Sequence, residues 1–238
     1  MQLIHQLLVY LHIAAGIVAL IVFWIPSLAR KGSILHKSAG RWFARIMYVT
    51  GLSGVVLSSL DLLWPTQFHS GFLLDAVRDR AIFLLSLSLL VLTCTRHGWL
   101  TINHHDNRQP LKHPLQILLV AALMAAGILL LARGLLQGNV IYSVFGILQV
   151  GLSTGMWHYT FKQKTQPREW WTEHLGGMIA AGIGAYTAFF VVGAASMLGP
   201  LFNQQPWIAV LVWVGPGVIG GVVIAMLTRH YRRKFAAR

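Results

Sequence analysis

The sequence predicts an all-α fold, a polytopic bundle of seven transmembrane helices, from three observations. It has seven apolar stretches, positive charge gathered on alternate connections, and aromatic residues at the ends of the stretches. The stretches run over about residues 4–28, 43–64, 81–98, 115–134, 140–161, 174–196 and 207–227. Each is near the ~20 residues a helix needs to cross the hydrocarbon. Boundaries of this kind admit six to eight spans, and the charges favour seven.

The first, third and fifth connections, the span ends that flank them (Arg45 and Arg96) and the C-terminal tail carry sixteen of the nineteen Lys and Arg, and only Arg78, Arg80 and Arg133 fall elsewhere. Basic residues stay on the cytoplasmic side, so the N-terminus is expected outside and the C-terminus inside. With 56% hydrophobic and 11% charged residues and a mean hydropathy of +0.64, a soluble domain would lack the polar surface to cover itself. The net charge of +13 does not point to nucleic acid, because the basic residues are spread over short loops. Arg30, Lys31, Lys37 and Arg41, with Arg229, Arg232, Arg233 and Lys234, suit the anionic headgroups of a lipid bilayer.

The first stretch offers small residues at Ser27-Leu28-Ala29 but lacks a basic leading region, and Arg30 and Lys31 oppose export of the chain downstream of them, so it is read as a helix rather than a cleaved signal. After the second span, Pro65-Thr66 starts a turn, and Asp75, Arg78, Asp79 and Arg80 make an amphipathic piece on the outer surface or an extension of the third helix. Cys94, the only cysteine, lies inside the third span, which excludes an intrachain disulfide. The 99–114 connection is polar and rich in turn residues, from Asn103 to Pro110. The few residues around Gln137-Gly138-Asn139 make the fourth and fifth spans antiparallel neighbours. Small residues at Gly177, Ala181 and Ala185 on the sixth span, and at Gly217 and Gly221 on the seventh, allow close helix approach. Gly215-Pro216-Gly217 is expected to kink the seventh. Trp24, Trp42, Trp64, Trp99, Trp157, Trp170, Trp171 and Trp207 mark headgroup levels. No connection is long enough for an independent core and no internal repeat is visible, so residues 1–238 are read as a single helical domain.

Ionisable groups at membrane depth are costly and are the first candidates for function. His12 lies in the first span and Asp61 near the outer end of the second, so packing of these neighbours would let the carboxylate hold the imidazole in a proton-relay pair. His5 shares a helix face with His12, and His69 is expected at the same surface. These residues have the chemistry of metal ligands, but nothing in their spacing demands a metal and none is assigned. On the cytoplasmic side, His158 ends the fifth span and His174 begins the sixth, with Met178 one turn on. These are the candidate axial ligands of a haem b. His36 and Arg41, in the glycine-containing basic stretch from Lys31 to Arg41, are candidate contacts for a propionate, a phosphate or a lipid headgroup. His97, His104, His105 and His113 are assigned no site.

The run His12-Ile13-Ala14-Ala15-Gly16, the stretch from Lys31 through His36 to Arg41, and Glu173-His174 with Met178 and Ala185-Tyr186-Thr187-Ala188-Phe189 resemble a family of bacterial multi-pass membrane proteins of unknown function. The resemblance implies residence in a bacterial cytoplasmic (inner) membrane, brings no established reaction, and points at His12, His36, Arg41 and His174. Three functions are compatible with these residues. One is a histidine-based redox protein holding haem b or a metal, exchanging electrons with quinone or another redox partner. The second is a proton-coupled carrier of a small solute. The third is a non-catalytic assembly or scaffold protein, consistent with the lack of a nucleophile triad, phosphate loop or carboxylate pair.

The charge partition makes a direct prediction. A reporter active only in the cytoplasm should work when fused to the C-terminal tail or within residues 30–41, and a periplasmic reporter when fused near residue 70. A cytoplasmic signal at residue 70 would overturn the seven-span order.

Overall fold

A computed structural model of the protein describes residues 2–69, 71, 73–193 and 195–236. The protein is all-α, with no strand among the described residues. Five helices are long and apolar enough to cross a membrane: α1 (Gln2–Leu28), α2 (Ile34–Leu63), α5 (Pro114–Gln137), α6 (Val140–Phe161) and α9 (Pro206–Ala236). The other two expected spans fall on α4 (Leu74–Asn103) and α7 (Glu169–Ala188). A single turn, α3 (Pro65–Phe68), and α8 (Ala195–Gln204) are the remaining α-helices among the described residues, with a 3-10 turn at Gln109–Lys112 and a π-helical turn at Phe189–Gly193. The chain divides into two compact units, Met1–Leu92 and Thr93–Arg238.

In the first unit α1 and α2 form an antiparallel hairpin. Its register is regular: Phe23 meets Phe43 (5.6 Å between ring centroids), His12 meets Ser53 and His5 meets Asp61. The outer face of α1 is apolar and exposed, with Leu3, Ile4, Leu7, Leu11, Ile17 and Ile21 all uncovered. A contiguous uncovered apolar face of this size suits lipid rather than water. The basic stretch read as a loop is mostly helix. Gly32, at φ +82°, turns the chain, Ser33 accepts from the His36 N–H at 3.1 Å as an N-cap, and α2 therefore starts at Ile34, nine residues before the expected span. Pro65 opens α3 at a position where no N–H is needed, and α4 begins at Leu74, so the acidic and basic residues from Asp75 to Arg80 extend that helix.

In the second unit α5 and α6 pack as the expected hairpin. Gly138 ends α5 in the left-handed conformation (φ +67°) and the Asn139 side chain caps α6 by accepting from the Tyr142 N–H at 3.2 Å. Contact is so close that a Cβ on Gly127 would stand 2.9 Å from Gln149 Cβ, and one on Gly146 2.7 Å from Leu131 Cβ. The C-terminal part of α4 crosses α7 as tightly, with Gly177 facing Gly98 and the Cys94 carbonyl. Gly177, Ala181 and Ala185 are all buried, as their small-residue spacing suggests. On α9 the close contact is made at Gly220, where a Cβ would overlap the Ile183 side chain, whereas Gly221 faces open space. Pro216 does not end α9, which stays helical on both sides of it.

Filling the hairpin contact should be costly. Gly127→Leu is expected to lower stability by about 1–3 kcal/mol through overpacking. Gly151→Ala, on the same hairpin with nothing near its Cβ position, should be neutral or raise it by up to about 1 kcal/mol through helix propensity. Thermal unfolding in detergent separates the two.

Candidate functional site

Two constellations of polar side chains stand out, one in each unit. The first sits where the start of α1 meets the end of α2. His5 Nε2 lies 3.1 Å and His69 Nε2 2.9 Å from the same oxygen, Asp61 Oδ1. The carboxylate can only accept, so each ring directs an Nε2–H at it when no ion intervenes. Phe68 stacks on His5 at 4.3 Å with the planes 13° apart, and Gln2 Nε2 donates to the Gln67 carbonyl at 3.5 Å, tying α3 to α1. The three side chains are only 12–18% exposed, and one ligand atom from each lies within 4.8 Å of the others. Two imidazoles and a carboxylate are the donor set of zinc and non-haem iron centres, and a metal–nitrogen bond of about 2.0–2.1 Å needs only small side-chain movements to close this group on an ion.

His12 does not join Asp61. Its Nδ1 is 2.9 Å from Ser53 Oγ, and that hydroxyl donates its own hydrogen to the Val49 carbonyl at 2.7 Å, so His12 is the donor to the serine. The expected His12–Asp61 relay is therefore replaced by two separate pairs, because Ser53 and Asp61 stand eight residues, or about two turns, apart on α2.

His36 and Arg41 both lie on α2 rather than in a loop. His36 Nδ1–H donates to the Pro26 carbonyl at 3.0 Å, and Lys31 Nζ donates to the carbonyls of Pro26 and Ser27 at 2.9 and 2.7 Å. These bonds satisfy acceptors that the end of α1 leaves open. Partial burial lowers the Lys31 pKa from its ordinary value. Arg41 is exposed.

The second constellation lines the interior of the other unit. His97 is 1% exposed; its Nε2 lies 3.3 Å from Glu173 Oε2, and the Tyr159 ring stands T-shaped to the imidazole with centroids 5.9 Å apart. Glu169 is buried against Lys162 and the Gln166 N–H, with Arg232 at 3.9 Å. A cavity of about 390 Å³ opens beside it, with Arg108, Tyr159 and Glu169 in its wall. Of the candidate haem ligands, His158 is exposed on α6, whereas His174 donates from Nδ1 to the Gly98 carbonyl at 2.9 Å and Met178 Sδ packs over the same glycine. His174 and Met178 thus share a neighbour, but it is the backbone of α4 rather than an open cleft. Sequence reasoning assigned no site to His97, Glu173 or Tyr159 in this unit, and in the other it placed His5 and His69 at one surface without pairing them with Asp61.

Together the fold and sites define an all-α protein with several membrane-length helices, a two-histidine, one-carboxylate cluster and a part-buried histidine–glutamate pair. The chain matches no protein-family model, no curated protein and no solved structure.

The pairing is open to a double-mutant cycle. His5→Ala and Asp61→Asn should be non-additive in stability, with a coupling of about 0.5–3 kcal/mol, whereas His12→Ala and Asp61→Asn should add to within about 0.5 kcal/mol. Coupling of His12 to Asp61 as large as that of His5 would contradict the register.

Proposed function

We propose that this protein is a multi-pass protein of the bacterial cytoplasmic membrane that binds a first-row transition metal ion on its outer side. The convergence of His5, Asp61 and His69 carries this reading, because three ligand atoms within 4.8 Å are contributed by α1, by α2 and by the residue that follows α3. Seven spans, with the N-terminus outside, put the start of α1 and the end of α2 at the outer surface. The ion would take the Nε2 lone pairs of His5 and His69 and an oxygen of Asp61, each ring keeping its one proton on Nδ1 as a neutral imidazole. Three protein ligands leave at least one position open to water or to an incoming donor, as in sites that exchange or use their metal rather than merely fold around it. With a redox-active ion such as iron the same site would serve electron transfer to quinone or a protein partner. Haem b has weaker support, since His158 is exposed and His174 is engaged by the Gly98 carbonyl.

The test is metal titration of the full-length protein, stripped with chelator in mild detergent, using Co²⁺ for its visible bands and Zn²⁺ for calorimetry. About one ion per chain is expected, and His5→Ala, His69→Ala or Asp61→Asn should each weaken binding at least about tenfold, or 1.4 kcal/mol. His36→Ala should not. Equal affinity in all four variants would overturn the site, and a Soret band abolished by His174→Ala would replace it with the haem reading.

A further inference from the structure

The interior of the second unit holds a histidine whose tautomer is set and whose other nitrogen is left over. His97 Nε2–H points at Glu173 Oε2, so in the neutral ring Nδ1 carries a lone pair. That nitrogen is buried and has no protein partner among the described residues, and the same is true of both amide atoms of Gln116, a side chain with no exposed surface. The helical rise puts the two residues at matching levels of α4 and α5. Thr93 Oγ1 donates to the Leu119 carbonyl at 3.3 Å, and α4 and α5 both run from that contact toward the connection between them. About one turn further on, α4 brings His97 and α5 brings Gln116. Buried polar atoms without a protein partner are typically met by internal water, and an amide can both donate to and accept from it.

Glu173, at 24% exposure, links this interior to a less buried setting. The groups around it are Tyr159 on α6, beside the imidazole, Arg108, which donates to the Tyr159 carbonyl at 2.7 Å, and Lys162, which stands 5.7 Å from the centre of the Tyr159 ring. Glu169 already has Lys162 and Arg232 as cationic partners. Glu173 is thus the carboxylate that serves His97. A carboxylate that fixes one ring nitrogen of a histidine and leaves the other lone pair free makes that lone pair an oriented base.

We propose that His97, Glu173 and Gln116 form an internal, hydrated proton-binding site, in which a buried water joins His97 Nδ1 to the Gln116 amide. The step is a simple protonation: a hydronium reaching that water yields one proton to Nδ1 and is left as water, and the resulting imidazolium is balanced by the Glu173 carboxylate. This site is independent of the metal cluster, which lies in the other unit.

The full-length protein labelled with ¹⁵N-histidine and reconstituted in lipid bilayers provides the test, with the His97 signal assigned by its loss in His97→Gln. In the wild type the neutral Nε2–H tautomer should convert reversibly to imidazolium on acidification and exchange with deuterated water. In Glu173→Gln the Nδ1–H tautomer should appear. Gln116→Leu should lower the melting temperature, because it strands the water and Nδ1. A His97 ring that stays neutral until the protein unfolds would overturn the proposal. So would a Gln116→Leu variant that melts higher than wild type, which marks a dry core with an unsatisfied amide.

Discussion

A polar side chain on a helix in hydrocarbon has no water to turn to, and this constraint orders the whole molecule. The simplest solution is the helix's own backbone. Thr50, Ser88, Thr101, Ser153 and Thr160 each donate to the carbonyl four residues back, at 2.7–3.0 Å. Such bonds discharge a hydroxyl without calling on a second helix, and so leave little trace in the tertiary arrangement. Histidines and carboxylates cannot be satisfied this way. They must find one another, or a hydroxyl or carbonyl on another element, and the contacts of His5, His12, His36, His97 and His174 are the outcome. The residues with functional potential are those whose chemistry exceeds what their own helix can supply.

The second determinant is the closeness of helices where glycine removes the side chain. Gly127 and Gly146 on the α5–α6 hairpin, and Gly98 and Gly177 where α4 crosses α7, permit near backbone contact. Lipid tails are as apolar as leucine, so dispersion and complementary shape take over the role that exclusion of water plays in a soluble core. At the α4–α7 crossing this closeness also places Met178 over Gly98 and delivers its carbonyl to His174.

Much of the architecture was legible in the residues. Hydropathy marked α1, α2, α5, α6 and α9, and Gly138-Asn139 marked the α5–α6 turn. The beginning of α2 was hidden because Lys37 and Arg41 look like loop residues by charge, while Ser33 and the turn at Gly32 decide where the helix starts. The cluster of two histidines and a carboxylate was half visible. His5, His12, His69 and Asp61 could be placed at one surface, but choosing among them needed the register of the α1–α2 hairpin. There the two numbers of each contacting pair total 65 or 66, which matches His5 with Asp61 and His12 with Ser53. The short connection around Gly32 contained that register in outline. His97 was missed although the third apolar stretch, ending at residue 98, already enclosed it. Its partner Glu173 lies 76 positions away, and no periodicity within one helix reports such a pairing.

The α1–α2 register also bears on how the chain enters the membrane. A histidine or an aspartate presented to lipid alone is expensive, and the expense falls when the group arrives already bonded. His12 finds Ser53, and His5 finds Asp61, across a connection of only a few residues, so both pairs can form as soon as the second helix leaves the ribosome. Loop closure of this length costs little entropy and is fast. The first two helices are therefore suited to insertion together as a zipped hairpin, their polar groups neutralised before any later helix has been made.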